Sequence, residues 1–126
     1  MDPMDDWTCE PRPLTATEAR ALDCLLRVDF PVATGLREQA AITNVVGGCG
    51  CGCPTVNLDV DLSRSTRAES GQGIVSSWVQ NDEGGQLLLF IREGKLSKLE
   101  VSWISEPPTS FPACEHVTSP EWQAGL

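Results

Sequence analysis

The chain has 126 residues, of which 40% are hydrophobic and 21% are charged, as is typical of one small globular domain. Eighteen acidic side chains against nine basic ones give a net charge of −9, which disfavours binding to nucleic acid or to an anionic membrane and favours a protein partner with a basic surface. No apolar run approaches the roughly 18 residues that a membrane-spanning helix needs.

The first 13 residues, MDPMDDWTCEPRP, predict a flexible N-terminal arm, because three prolines and four acidic side chains oppose regular structure. This segment lacks the positive and apolar regions of a secretory signal peptide. A cytoplasmic protein is therefore expected. In that compartment its six cysteines are expected to be reduced thiols and not disulfides.

Two helices are predicted after the arm. Residues 16–28 have apolar side chains at helical intervals, and Thr15 and Glu18 have the spacing of a capping box. A second, shorter helix is predicted in the segment VATGLREQAAI, where apolar residues recur at every fourth position.

From Thr43 onward, apolar and polar residues alternate, which predicts β-strands. The strand-like segments are TNVVGG, TVNLDVDL, IVSSWVQ, QLLLFIRE and LSKLEVSWIS, and EGK predicts a tight turn between the last two. Residues 14–108 are therefore predicted to form a single α+β domain, with two N-terminal helices packed on a four- to five-stranded antiparallel sheet. Residues 109–126 contain prolines and no repeating pattern, which predicts an irregular C-terminal tail.

The segment GGCGCGC places Cys49, Cys51 and Cys53 at every second position. Three thiolates in a glycine-rich loop suit Zn²⁺ or Cu(I), and Cys114 or His116, the only histidine, would complete a four-ligand site. The spacing weakens this hypothesis, because structural zinc sites favour two to four residues between paired cysteines. The alternative is that the cysteines are small buried residues at a sharp turn into a strand, with no cofactor.

Two other chemistries have weaker support. A cysteine nucleophile activated by His116 lacks a third residue to orient the histidine. Asp59 and Asp61 share one face of a predicted strand and could bind a cation, although strict alternation is typical of a solvated sheet face. The sequence indicates no catalytic residues, and a non-enzymatic protein is predicted.

The four tryptophans divide into two groups by position. Trp78 and Trp103 lie in predicted strands and are expected in the core. Trp7 and Trp122 lie in the two terminal segments, where they are the candidate residues for contact with a partner.

The order of the segments LREQAA, VVGGCGCGCPTVNLDV, LLLFIREGKLSKLEVSW and EPP resembles that of a group of small bacterial proteins, chiefly from actinobacteria, over residues 15–108. The resemblance implies a bacterial, cytosolic setting and assigns no residue a role. Charge, size and the missing catalytic residues predict a small acidic protein-binding or regulatory module that masks a basic surface, as immunity proteins and antitoxins do. The alternative prediction is a zinc- or copper-binding protein that uses the cysteine loop.

Overall fold

The computed structural model describes residues 7–48, 53–61, 63, 71–80, 85–103 and 108–125. These residues form a seven-stranded antiparallel sheet, two α-helices and one short 3-10 helix. In chain order the elements are β1 (Trp7–Pro13), α1 (Ala16–Leu26), α2 (Ala33–Ala40), β2 (Thr43–Gly48), β3 (Val56–Val60), β4 (Gly73–Trp78), β5 (Gln86–Arg92), β6 (Lys95–Ser102), the 3-10 helix (Cys114–His116) and β7 (Glu121–Ala124).

The predicted sheet of four to five strands behind two N-terminal helices is wrong. Seven strands occur in the order β1-β2-β3-β6-β5-β4-β7, and a strand precedes both helices. The inner strands β2 to β6 are those that the alternating pattern predicts. The additional edge strands, β1 and β7, come from the segments expected to be an arm and an irregular tail. β1 contains Pro11 and Pro13, which an edge strand tolerates because one side of its backbone needs no hydrogen bonds to a neighbour.

The capping box at the start of α1 is confirmed. Thr15 Oγ1 accepts a hydrogen bond from the Glu18 N–H at 3.1 Å, and the Glu18 carboxylate accepts one from the Thr15 N–H at 2.9 Å. The same carboxylate accepts two hydrogen bonds from the Arg12 guanidinium, at 2.9 and 3.0 Å. Burial raises the pKa of Glu18, but the hydrogen bonds from Arg12 and Thr15 and the Arg12 charge outweigh it, so this pKa lies below its ordinary value.

The hydrophobic core lies between the two helices and one face of the sheet. α1 packs against β4 and β5, and α2 packs against β6. Burial of each leucine or valine in such a core stabilises the fold by about 1.5 to 3 kcal/mol before entropy is subtracted. The largest fully buried apolar side chains are Leu22, Leu25, Leu26, Leu36, Val45, Val75, Leu87, Leu89, Ile91, Leu96 and Leu99.

A buried glutamine joins α2 to the hairpin formed by β5 and β6. Gln39 Nε2 donates to the Gly94 carbonyl at 2.7 Å, and its Oε1 accepts from the Leu96 N–H at 3.1 Å. Glu93 and Gly94 have φ values of 51° and 73°, the left-handed pair that a two-residue hairpin turn requires. The tight turn predicted at EGK is confirmed.

Candidate functional site

The structure does not bring together those predicted metal ligands that it describes, which are Cys53, Cys114 and His116. Cys49 and Cys51 lie outside the described residues. Cys53 is buried just before β3, with 9% of its surface exposed. Cys114 and the exposed His116 lie in the 3-10 helix.

The strand order sets the distance between Cys53 and this 3-10 helix. Val117, which follows the helix, bridges to Val79 at the end of β4. Strands β6 and β5 stand between β3 and β4, and neighbouring strands are about 4.8 Å apart, so the start of β3 lies about 14 Å from the end of β4. Two sulfur ligands of one zinc ion lie within about 5 Å of each other, because each zinc–sulfur bond is about 2.3 Å long, and the strands next to these two segments are farther apart than that.

Among the residues that the structure describes, no group of three or more histidine, cysteine or acidic side chains could hold a metal ion. The zinc- or copper-binding alternative thus depends on the loop cysteines and stays a prediction. Elemental analysis of protein purified without added metal tests it directly.

Cys114 is bonded to Cys24 of α1. The two Cα atoms are 5.6 Å apart, and the disulfide links positions separated by 90 residues. The expectation that all six cysteines are reduced is therefore wrong for this pair. In the disulfide, Cys114 has no thiolate to offer a metal ion.

Packing on both sides positions the two sulfurs. Cys24 lies on the buried side of α1 and is 3% exposed. The chain before the 3-10 helix is anchored by Phe111, which is 5% exposed and belongs to the core. The chain after it is held by the bridge between Val117 and Val79. Cys114 is thus held against α1 by attachments on either side of it.

The disulfide lines a surface groove of about 660 Å³ between α1 and residues 111–115, which we call the disulfide groove. Its charged residues are Arg20 and Asp23 of α1, Arg27 directly after that helix, and Glu115 of the 3-10 helix. A second depression, of about 430 Å³, also contacts both cysteines and is formed in part by residues 117–120. The sulfur pair is therefore bordered by open space in two places.

A guanidinium lies directly against the disulfide. Arg27 Nη1 is 2.5 Å from Cys114 Sγ, and Arg27 follows Cys24 by three residues, about one turn of helix. Arg20, Asp23 and Glu115 are exposed and form no ion pair with another described residue. The groove thus offers two cations and two anions around a disulfide, and none of the four forms an ion pair with a residue that the structure describes.

The sheet face that points away from the helices is a second candidate site. Strand alternation places Ile74, Trp78, Leu88 and Phe90 on this side, and we call these four residues the open-face cluster. Ile74 lies directly opposite Phe90 in the antiparallel register of β4 and β5. Trp78 is 53% exposed, more than any other large hydrophobic side chain in the described part of the chain. The prediction that Trp78 is buried is wrong, because its side of β4 faces away from the helices.

Ion pairs border the open-face cluster on β6 and β3. Lys98 Nζ lies 3.7 Å from Glu100 Oε1, and Lys95 Nζ lies 3.4 Å from Asp59 Oδ1. Asp61 accepts two hydrogen bonds from the turn that follows it. These two aspartates therefore take part in ordinary surface contacts.

The other tryptophans differ in their surroundings. The side chain of Trp7 lies outside the described part of the structure, and Trp103 is half-buried. Trp122 stacks on Phe30, with ring centroids 5.1 Å apart, and a Cβ on Gly73 would overlap its ring. Trp122 is therefore already engaged in packing within the molecule.

Sequence reasoning missed two features of these sites. Cys24 lies among the apolar positions of α1, where it has the pattern of a small core residue, and no local pattern indicates a partner 90 positions away. The sequence did contain an indication that Trp78 lies on the open face. Trp78 and Val75 are an odd number of positions apart, so they point to opposite faces of β4.

No protein-family model matches the chain, and neither a curated protein nor a solved structure matches it. The resemblance to small actinobacterial proteins therefore stays a prediction. Of the helices described, none is long and apolar enough to cross a membrane.

Proposed function

We propose that this chain is a non-enzymatic protein-binding module, of the regulatory, immunity-like kind, that docks another protein on the open-face cluster. The observation that supports this function most is Trp78, a residue that is 53% exposed at the end of β4. Tryptophan is the side chain most enriched at interface positions that dominate binding energy. An exposed tryptophan next to other apolar groups is also a typical mark of an interaction surface.

The rest of the cluster suits docking because its backbone is already in place. Ile74, Leu88 and Phe90 are half-buried and lie on two strands whose hydrogen bonds continue into β6 and β7. A partner that binds such a sheet face orders few additional main-chain groups, which limits the entropy cost of association.

Charge indicates the kind of partner. The net charge of −9 attracts a basic protein surface at long range, and it repels nucleic acid and anionic lipid. It also opposes face-to-face association of two copies. We therefore infer a protein partner with an apolar patch in basic surroundings, bound in the cytoplasm without a cofactor.

The test is photo-crosslinking from the proposed surface in the native host. Trp78→benzoylphenylalanine is compared with Thr34→benzoylphenylalanine, which carries the same reactive group on the exposed side of α2. We expect the label at position 78, and not the label at position 34, to capture a protein of basic isoelectric point.

Binding is then measured between the purified captured protein and the native chain. We expect Trp78→Ala to weaken the complex about thirtyfold, as for an interface hot spot, and Trp78→Phe to weaken it much less. Affinity should also fall as salt is raised. Equal capture by both labels, crosslinks only between copies of this chain, or an unchanged affinity of Trp78→Ala would each overturn the proposal.

A further inference from the structure

We propose that the disulfide between Cys24 and Cys114 is a reactive site, at which a low-molecular-weight thiol carrying both an ammonium and a carboxylate group adds to Cys114. The proposal stands apart from the protein-binding function, because the disulfide groove lies on α1 and the open-face cluster lies on the opposite face of the sheet. Four observations carry it: unequal exposure of the two sulfurs, open space beside them, the contact from Arg27, and the charges around the groove.

Exposure determines which sulfur is attacked. Thiol–disulfide exchange proceeds by attack of a thiolate on one sulfur while the other leaves. Cys24 is 3% exposed on the core side of α1, whereas Cys114 is partly exposed in the 3-10 helix. Both residues line the 660 Å³ disulfide groove, which is large enough for a molecule the size of an amino acid. An incoming thiolate therefore meets Cys114 Sγ first.

Arg27 favours the reaction electrostatically. Negative charge spreads over three sulfur atoms as the thiolate attacks, and the Arg27 guanidinium is 2.5 Å from the central one, Cys114 Sγ. A cation at that place attracts the incoming thiolate and stabilises the charge as it spreads. It also favours the thiolate form of Cys114 once the disulfide is fully opened.

The remaining charges of the groove select the thiol. Arg20 supplies a second cation, while Asp23 and Glu115 supply anions on the α1 side and the 3-10 helix side. None of these three forms an ion pair with another residue of the described structure. A zwitterionic thiol can pair its carboxylate with a guanidinium and its ammonium with a carboxylate, which a neutral thiol cannot do.

The chemistry balances with the thiol as the only reductant. Its thiolate forms a new S–S bond with Cys114 Sγ, the bond to Cys24 breaks, and the Cys24 sulfur takes up one proton from water. A second thiolate then displaces the first from Cys114, which yields the free small-molecule disulfide and the Cys114 thiolate. Two small thiols are thereby oxidised, and the two electrons reduce the protein disulfide.

The experiment uses the native chain without denaturant and four probe thiols: cysteine, 2-mercaptoethanol, 3-mercaptopropionate and cysteamine. Rates are divided by the thiolate fraction of each probe, and adducts are trapped by alkylation and located by peptide mass spectrometry. We expect cysteine to react about tenfold faster than 2-mercaptoethanol, since it gains two exposed ion pairs. The trapped adduct should lie on Cys114.

Two variants that retain both cysteines distinguish selection of the thiol by charge from acceleration of the reaction by charge. Arg20→Gln combined with Asp23→Asn should reduce the preference for cysteine to about twofold, because the ion pairs on the α1 side are lost. Arg27→Gln should slow all four thiols about tenfold, since it removes the cation at the sulfur. Arg92→Gln, an exposed site at the end of β5, is the matched control and should change nothing.

Three results would overturn the proposal. The first is an adduct on Cys24 and not on Cys114, and the second is an equal corrected rate for all four thiols. The third is a reaction that proceeds only through global unfolding, in which case the rate would follow the stability of each variant and not the charge of the thiol.

Discussion

The two faces of the central sheet have the same strands and opposite surroundings. On one face, Leu87 and Leu89 are fully buried beneath α1 and its neighbours. On the other, Leu88 and Phe90 of the same strand are only half-buried. β5 thus carries apolar residues on both faces although the helices bury only one. The difference teaches that the helices account for the apolar residues on one face only, and that those on the second face are the ones on which the proposed docking depends.

The largest difference in stability between the two faces is expected at two adjacent leucines of β5, Leu88 and Leu89. Leu89→Ala should lower the free energy of unfolding by about 3 to 4 kcal/mol, because it leaves a cavity in the core. Leu88→Ala, the matched control on the open face, should cost about 1 kcal/mol or less. Urea denaturation of the two variants measures both values, and equal costs would show that the open face is covered.

The helix side is also tied to the chain that leads to β7, through the disulfide. Removing both sulfurs with Cys24→Ser and Cys114→Ser should lower the free energy of unfolding by about 4 kcal/mol, since the bond joins positions separated by 90 residues. The control is chemical reduction. A reducing agent should destabilise the native chain to the level of the double variant and leave the double variant unchanged. A stability of the native chain that does not respond to reduction would contradict the prediction.

A pair of tryptophans gives the same contrast with a smaller effect. Trp122→Ala should cost about 2 kcal/mol, because the ring stacks on Phe30 and packs over Gly73. Trp78→Ala should change stability by less than about 1 kcal/mol, since about half of this residue is exposed to solvent. Thermal unfolding of the two variants distinguishes them. A large loss for Trp78→Ala would indicate that the ring packs within the chain and is not free to meet a partner.

Local pattern was sufficient to predict the inner elements of this fold. The capping box of Thr15 and Glu18, the alternation of β3 and the turn at Glu93 and Gly94 each depend on residues fewer than ten positions apart. Side-chain spacing and turn chemistry specify such features directly.

The edge strands and the disulfide depend on contacts between distant parts of the chain. β7 has only four residues and β1 lacks a clear apolar alternation, and they become strands because β4 and β2 offer unpaired edges to them. Prolines in β1 conceal it further, since proline opposes a strand everywhere except at an edge. Cys24 and Cys114 meet only after the chain that carries Cys114 has returned to α1. Sequence spacing holds no information on that approach.

Ion pairs extend the contrast between the two faces to charged groups. The Arg12–Glu18 pair joins β1 to α1 with 9% of the Glu18 side chain exposed, whereas the Lys95–Asp59 pair on the open side leaves 57% of the Asp59 side chain exposed. Solvent and salt screen the second pair and leave the first largely intact. The less exposed pair, which also has two hydrogen bonds, should therefore stabilise the fold more than the single exposed contact.

The last prediction tests this inequality through pH. Because the folded-state pKa of Glu18 lies below its ordinary value, its charge stabilises the fold above the unfolded pKa, about 4.3, and the contribution is lost as pH falls through the lower folded-state pKa. Glu18→Gln keeps the capping geometry and removes the charge, so it should cost about 1 kcal/mol at pH 7. At a pH below the folded-state pKa, the glutamate of the native chain and the glutamine of the variant are both neutral, so the cost of the substitution should vanish.

The control is Asp59→Asn, which should change the free energy of unfolding by no more than about 0.5 kcal/mol at either pH. Urea denaturation at pH 7 and in acid measures all four values. A cost for Glu18→Gln that persists in acid would mean that shape and not charge accounts for the stabilisation by Glu18.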